Sequence, residues 1–293
     1  MHVFSRLLPS LTSAFALQTV FALYSVPQQT DIFYDLAGSL GFLSTTFVSL
    51  YYPHLKAKLN GQPGSLPSLL SFAPRQLLLC GALSIWTIRL GIFFLFPARH
   101  LQFRALKNGG DSRFDEVKKQ PLKFSAFWIG QATWVFLIGL PVYMANTLPA
   151  SLHPPLGMRD YLSFGLFAGS LLFEAIADKQ KNKWRAAKNA KQHDEKFISS
   201  GLWGISRHPN YVGEVGIQAG IWALATGTLQ TSYFPLGAIA LAGLSPLFTY
   251  LLLRKVSGVP PLEEASDKKF GDDPAWAKYK KTVPVFWPWA SAD

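Results

Sequence analysis

The chain has 293 residues, with 28 Lys and Arg against 17 Asp and Glu and a formal net charge of +11. With 49% hydrophobic and only 15% charged residues it is too apolar for an ordinary soluble enzyme, and 23 Phe, 10 Tyr and 9 Trp suit a surface that meets lipid. The single cysteine, Cys80, excludes an internal disulfide and a multi-cysteine metal site.

The first stretch, MHVFSRLLPSLTSAFALQTVFALYSV, has one early Arg6 and an apolar run but no small-residue cleavage site. It reads as a first membrane helix rather than a removed signal. Apolar runs long enough to cross a hydrocarbon core follow near 5–26, 32–52, 72–96, 124–147, 160–178, 206–228 and 232–253. They lack the two-residue alternation of barrel strands, so the expected fold is all-α, a polytopic membrane bundle of about seven helices forming a single membrane domain over 1–293.

Three segments, 97–123, 179–207 and 254–293, carry 7, 8 and 7 Lys and Arg residues, 22 of the 28. Seven crossings would put all three on one side, the cytosolic one by the positive-inside rule, with the C-terminus there and the N-terminus opposite. The positive charge then points to lipid headgroups or an anionic cofactor and not to nucleic acid.

Two polar stripes interrupt the apolar helices. In GLWGISRHPNYVGEVGIQAGIWALA, Asn210, Glu214, Gln218 and Trp222 recur every four residues and share a helix face. In LLFEAIADKQKNKWRAAKNAKQ, Glu174, Asp178, Lys181 or Asn182, and Arg185 fall at spacings of four, three and four along another helix. An ionised group in lipid costs at least about 2.5 kcal/mol, so both stripes are expected to face the bundle or a wet cavity, basic at its mouth and acidic deeper. Such residues also suit plain ties between helices, and Pro209 with Asn210 suits a helix start. A third polar point is Trp86 with Arg89, expected to turn inward and pair with a carboxylate or phosphate. The six His residues show no helical pairing, which disfavours a metal site. No dinucleotide fingerprint, Walker loop, HExxH or GxSxG elbow is present. After the GLSP and SGVPPLEE breaks, KKFGDDPAWAKYKKTVPVFWP reads as an interfacial anchor.

The runs EAIADKQKNKW, GLWGISRHPNYVGE and SPLFTYLLLRKVSGVPPLEE, with RLGIFFLFPAR, the DSRFDE of Asp111 to Glu116 and FWIGQATWVFLIGLPV, resemble the steroid 5-alpha-reductase-like membrane family with a DUF1295 domain, and more distantly the sterol reductases, over roughly 80–290. The resemblance implies NADPH in a cavity open to the cytosol and reduction of an activated C=C bond in a hydrophobic small-molecule substrate among membrane lipids, in endoplasmic reticulum if the source is a eukaryote. It further implies that Arg185, Arg207 and His208 hold the phosphates, that Glu174, Asp178, Asn210, Tyr211 and Glu214 bond ribose hydroxyls and the nicotinamide amide, and that Tyr211 and Glu214 are catalytic, Tyr211 as proton donor. Steroid-reducing members orient the enone with a tyrosine and an acid; Trp86 stands at the tyrosine's place here with no matching acid, so a long-chain enoyl or sterol-like lipid stays open as substrate. The RHP-x-Y-x-G core with Glu263, Glu264, Phe270, Gly271 and Tyr279 also resembles membrane isoprenylcysteine and phospholipid methyltransferases, which would use His208 and Glu264 for S-adenosylmethionine. A non-catalytic membrane scaffold would bind neither cofactor.

Overall fold

The computed structural model describes residues 2–62, 65–95 and 114–292. The basic positions Arg99, Arg104, Lys107 and Arg113, and Asp111 of the DSRFDE run, lie outside them. The described residues are helical, with no strand among them. In chain order the helices are α1 His2–Ser25, α2 Tyr34–Leu59, α3 Pro74–Leu95, α4 Pro121–Asn146, α5 Met158–Asn189, α6 Pro209–Leu229, α7 Ala238–Ala242, α8 Leu244–Leu251, α9 Val259–Phe270 and α10 Pro274–Thr282.

Proline sets several of the starts. It opens α4 and α6 and sits in the first turn of α9 and α10, where its missing N–H costs nothing. Before α10, Asp273 accepts a bond from the Ala275 N–H and so caps the helix. The run expected as one helix over 232–253 is broken. Gly237, at φ 89°, turns the chain into α7, Gly243 separates α7 from α8, and a π-helical turn, Leu252–Val256, follows.

Helix covers each expected apolar run within the described residues, but among these residues length and composition qualify four helices for crossing a membrane: Ser5–Ser25, Pro121–Asn146, Met158–Asn189 and the interrupted run Ala238–Phe270. The others are diluted by polar residues. α2 buries Ser39, Thr45, Thr46 and Ser49, α3 carries Arg75 and Arg89, and α6 carries Glu214 and Gln218. At 32 residues and 1.5 Å per residue, α5 is about 48 Å long, well beyond a hydrocarbon core of about 30 Å. Its Lys- and Arg-rich end therefore extends past the lipid.

The chain divides into two compact units, residues 1–161 with 221–245, and residues 162–220 with 246–293. In the first, α1, α2, α3 and α4 pack on one another. Their core includes Phe42, set edge-on against Trp86 at 5.0 Å and Trp134 at 4.7 Å between ring centroids. Trp86 is thus a core side chain, 2% exposed, while Arg89 is half-buried. The tightest charge pair here was not anticipated: Arg75 meets Asp160 through Nε to Oδ1 at 2.6 Å and Nη2 to Oδ2 at 2.8 Å, both nearly buried. The same guanidinium donates to the carbonyls of Pro154 and Pro155, and the Gly157 N–H bonds Asp160. With every partner satisfied, a buried pair of this kind holds a loop in register.

In the second unit, α5 and α6 cross through glycine. A Cβ added at Gly213 would lie 2.6 Å from Glu174 Cβ, one at Gly216 would lie 2.3 Å from Ser170 Oγ, and one at Gly220 would lie 2.6 Å from the Phe167 backbone nitrogen. As one helix ascends the other descends, so the pair is antiparallel, and the small residues bring the backbones close enough for dispersion to hold them where lipid gives no hydrophobic drive.

Candidate functional site

The site residues expected from sequence all belong to the second unit. Glu174, Asp178 and Arg185 are half-buried along α5; Arg207 and His208 end the loop before α6; Asn210, Tyr211 and Glu214 occupy its first two turns. Glu174 stands at the α5–α6 crossing itself, opposite Gly213. On α6 the four-residue spacing works as expected: Gln218, fully buried, donates through Nε2 to Glu214 Oε1 at 3.3 Å, and Gln218 Oε1 is buried with no hydrogen-bond partner. Farther along the same stripe Trp222, in the first unit, donates to the Ile239 carbonyl.

Arg207 is more tightly engaged than a phosphate ligand at a cavity mouth would be. It is 6% exposed. Its Nη1 donates to the carbonyls of Lys280 and Val283, both at 3.0 Å, and its Nη2 meets Glu263 Oε2 at 3.0 Å. Only Nε is buried without a partner. His208 contacts the other carboxylate oxygen, Nε2 to Glu263 Oε1 at 2.9 Å, and lies parallel to the Tyr211 ring with centroids 5.5 Å apart. An ionised Glu263 keeps a proton on His208 Nε2 and so fixes the tautomer.

The loop carrying this pair is stitched to the C-terminal segment. The Arg207 N–H donates to the Pro284 carbonyl, Ser206 Oγ to the Phe286 carbonyl at 2.6 Å, and Tyr279 OH to the Trp203 carbonyl at 2.6 Å. Burial pushes the Tyr279 hydroxyl far above its ordinary pKa, so it stays a neutral donor. Beside the loop Lys181 Nζ sits over the Trp203 ring at 4.5 Å from its centroid, a cation–π contact.

Glu263 is the residue that sequence reasoning undervalued. Its neighbour Glu264, assigned to S-adenosylmethionine in the methyltransferase reading, is exposed and paired with Lys268 one turn on. Helical periodicity carried the signal: on α9, Glu263 shares a face with Val259 and Asp267, whereas Glu264 shares one with Lys268. Asp267 in turn is bonded by Lys280 Nζ at 2.8 and 2.9 Å and by the Trp276 indole at 2.7 Å. These groups border a cleft of about 480 Å³ lined by Arg207, Arg254 and Lys280 together with Glu263 and Asp267. The guanidinium and ammonium donors on this lining are of the kind that suit an anion accepting hydrogen bonds. No group of three or more His, Cys, Asp and Glu able to hold a metal occurs among the described residues.

A Delta(14)-sterol reductase of Neurospora crassa is 29% identical to this chain, over 53% of the chain and 37% of the reductase. The chain thus spans little more than a third of the length of that curated relative. No solved structure matches it. The sequence model of the protein family of unknown function DUF1295 matches residues 63–283, most of the chain and the whole cluster from Glu174 to Lys280. With its helical membrane fold and this match, the chain belongs to the DUF1295 family.

Proposed function

We propose that this protein is a membrane-embedded, NADPH-dependent reductase acting on an activated C=C bond of a lipid or sterol-like substrate. The observation that carries the reading is the cleft lined by Arg207, Arg254 and Lys280 in the same unit as the Glu214–Gln218 stripe. Similarity to a Delta(14)-sterol reductase supports the same class.

In this reading NADPH, when bound, supplies the hydride. The chain's residues bind and orient it. Arg185 takes phosphate beside Arg207, whose Nη nitrogens already serve carbonyls and Glu263, while His208, its Nε2 hydrogen committed to Glu263, steadies Tyr211. Asn210, Glu174 and Asp178 bond ribose hydroxyls; Glu214, steadied by Gln218, bonds the amide. Tyr211, stacked on His208, donates the proton that completes the reduction.

The test is a thermal titration of the detergent-purified protein with NADPH and separately with S-adenosylmethionine. A ligand at 100 times its Kd adds about 2.7 kcal/mol, so NADPH is expected to raise the melting temperature and S-adenosylmethionine to leave it unmoved. Glu214→Gln is expected to lose NADPH consumption in the presence of a lipid extract. Stabilisation by S-adenosylmethionine alone would transfer the site to methyl-group chemistry, and stabilisation by neither would leave a scaffold.

A further inference from the structure

In the first unit, away from every residue assigned to the reductase reading, α1 and α2 frame an open groove of about 650 Å³, lined among others by Ser5, Ala16 and Val20 of α1 and Ser44, Val48 and Tyr52 of α2. The two helices run antiparallel. Gln18 donates to the Ala37 carbonyl and Thr45 to Ser13, so Ser5 comes level with Tyr52. Ser5 is also the first residue of the segment Ser5–Ser25, long and apolar enough to cross a membrane, which puts this end of the groove at the membrane's edge. From Ser5 to Val20 the helix rises about 22 Å at 1.5 Å per residue, more than half of a hydrocarbon core of about 30 Å. The groove is long enough for the whole acyl chain of a lipid in one leaflet.

Its two ends differ in chemistry. Toward Val20 the lining is Ala, Leu and Val, and hydroxyls there are engaged within the protein: Ser44 donates to the Gly41 carbonyl at 3.2 Å, and Ser13 accepts from Thr45. Leu8 and Val20 are 59% and 64% exposed, so the groove opens to hydrocarbon. At the outer end Ser5 and Tyr52 make the lining polar, and helical spacing extends it. Ser44, Val48, Tyr52 and Lys56 recur every four residues on one face of α2, so the exposed Lys56 stands one turn beyond Tyr52 at the groove's mouth. Arg6 is turned elsewhere, to the Thr147 carbonyl and the Tyr233 hydroxyl. A furrow that is apolar within and cationic at its mouth matches an acyl chain below a phosphate. A sterol offers no charge to the lysine. A second copy fits poorly, because a two-fold contact in the membrane would set groove against groove, with no ridge to fill either, and bring the two Lys56 side chains together. We propose that the α1–α2 groove holds an anionic glycerophospholipid, one acyl chain along Ala16, Val20 and Val48 and the headgroup phosphate at Tyr52 and Lys56. The inference stands or falls independently of the reductase reading.

The test uses the full chain in phosphatidylcholine nanodiscs carrying a trace of photoreactive lipid. Phosphatidylglycerol and phosphatidylcholine with the same diazirine-bearing acyl chain are compared with a diazirine cholesterol, and labelled peptides are mapped by mass spectrometry. Phosphatidylglycerol is expected to label within 5–20 and 44–52 about fivefold more than phosphatidylcholine, the equivalent of about 1 kcal/mol for one lysine near a membrane surface. Lys56→Gln is expected to bring the two lipids level. Lys58→Gln, two residues on and therefore on the opposite face of α2, is expected to leave the preference intact. Ala16→Trp, which fills the groove from an exposed position, is expected to remove the labelling of both segments and leave the unfolding midpoint unchanged. Equal labelling by the two phospholipids in wild type, stronger labelling by cholesterol, equal effects of Lys56→Gln and Lys58→Gln, or labelling undiminished in Ala16→Trp overturns the proposal. A wild-type dimer in light scattering that Ala16→Trp converts to monomer also overturns it and gives the groove to a second copy.

Discussion

Glu263→Gln probes the cluster that holds the candidate site. In the native protein the Glu263 carboxylate meets Arg207 Nη2 at 3.0 Å and His208 Nε2 at 2.9 Å, with the Arg207 side chain 5% and the Glu263 side chain 18% exposed. The amide keeps an acceptor for one of these donors but removes the charge opposite a buried guanidinium. Removing one partner of a buried pair costs about 3–5 kcal/mol. Partial exposure of Glu263, the retained amide oxygen and the two carbonyls that still serve Arg207 bring the expected loss to about 2 kcal/mol, roughly thirtyfold in the unfolding equilibrium. Denaturant unfolding of the detergent-solubilised protein, followed by far-ultraviolet circular dichroism, measures it directly. A double-mutant cycle with Arg207→Met is expected to give a coupling of at least about 1 kcal/mol, because Glu263 has less to hold once the cation is gone. Glu264→Gln, at the exposed neighbour, is the control and is expected to leave the transition unmoved. A Glu263→Gln midpoint equal to wild type, or strictly additive single changes, would refute the view that this carboxylate anchors the loop.

The glycine seam predicts that Gly220→Ala costs about 1–3 kcal/mol, because its Cβ meets Phe167 backbone atoms at 2.6 and 2.7 Å that have nowhere to go. Gly169→Ala, whose Cβ meets nothing within 4 Å, is expected to be neutral, and size-exclusion melting curves of the two variants give the comparison. His153 supplies a pH dependence. Burial, foremost, holds its pKa down at about 4 against 6.5 for a free imidazole, and its neutral ring bonds the Leu148 carbonyl and Thr228 Oγ1. The unfolded chain therefore binds the proton first, so stability is full above about pH 6.5 and declines as the pH falls toward 4. Unfolding midpoints between pH 7.5 and 4.5 are expected to slope downward in wild type and less so in His153→Gln; equal slopes would remove His153 from the account.

Helix positions were legible in the sequence because twenty-residue apolar runs have little alternative in lipid: the run at 160–178 falls inside α5, and that at 124–147 outruns α4 by one residue. The break at Gly243 falls in the GLSP stretch that the sequence marks as one, but the turn at Gly237 was not legible, since a helix interrupted by glycine keeps the composition of a continuous one. The four-residue period on α6 correctly placed Gln218 against Glu214. The same period on α9 would have singled out Glu263 over Glu264, but only once α9 is known to start at Val259. What sequence cannot carry is the reach of Arg207 to the carbonyls of Lys280 and Val283. Backbone acceptors leave no trace in residue identity, so an arginine that fastens main chain and one that awaits a phosphate read alike. Arg75 is the second instance: its partner Asp160 lies 85 residues away, and nothing in either neighbourhood singles out the other.

Arg207 and the carbonyls that hold it are 73 and 76 residues apart. At about 5–20 residues per second of translation, the guanidinium is synthesised roughly 4–15 seconds before either acceptor exists, and Glu263 follows it by more than fifty residues. Throughout that interval a cation destined for burial is matched by no native carboxylate or carbonyl. The nascent chain must keep this segment in water or in the hands of the insertion machinery until the later residues arrive, so the order of synthesis alone makes closure of the loop a late event in biogenesis.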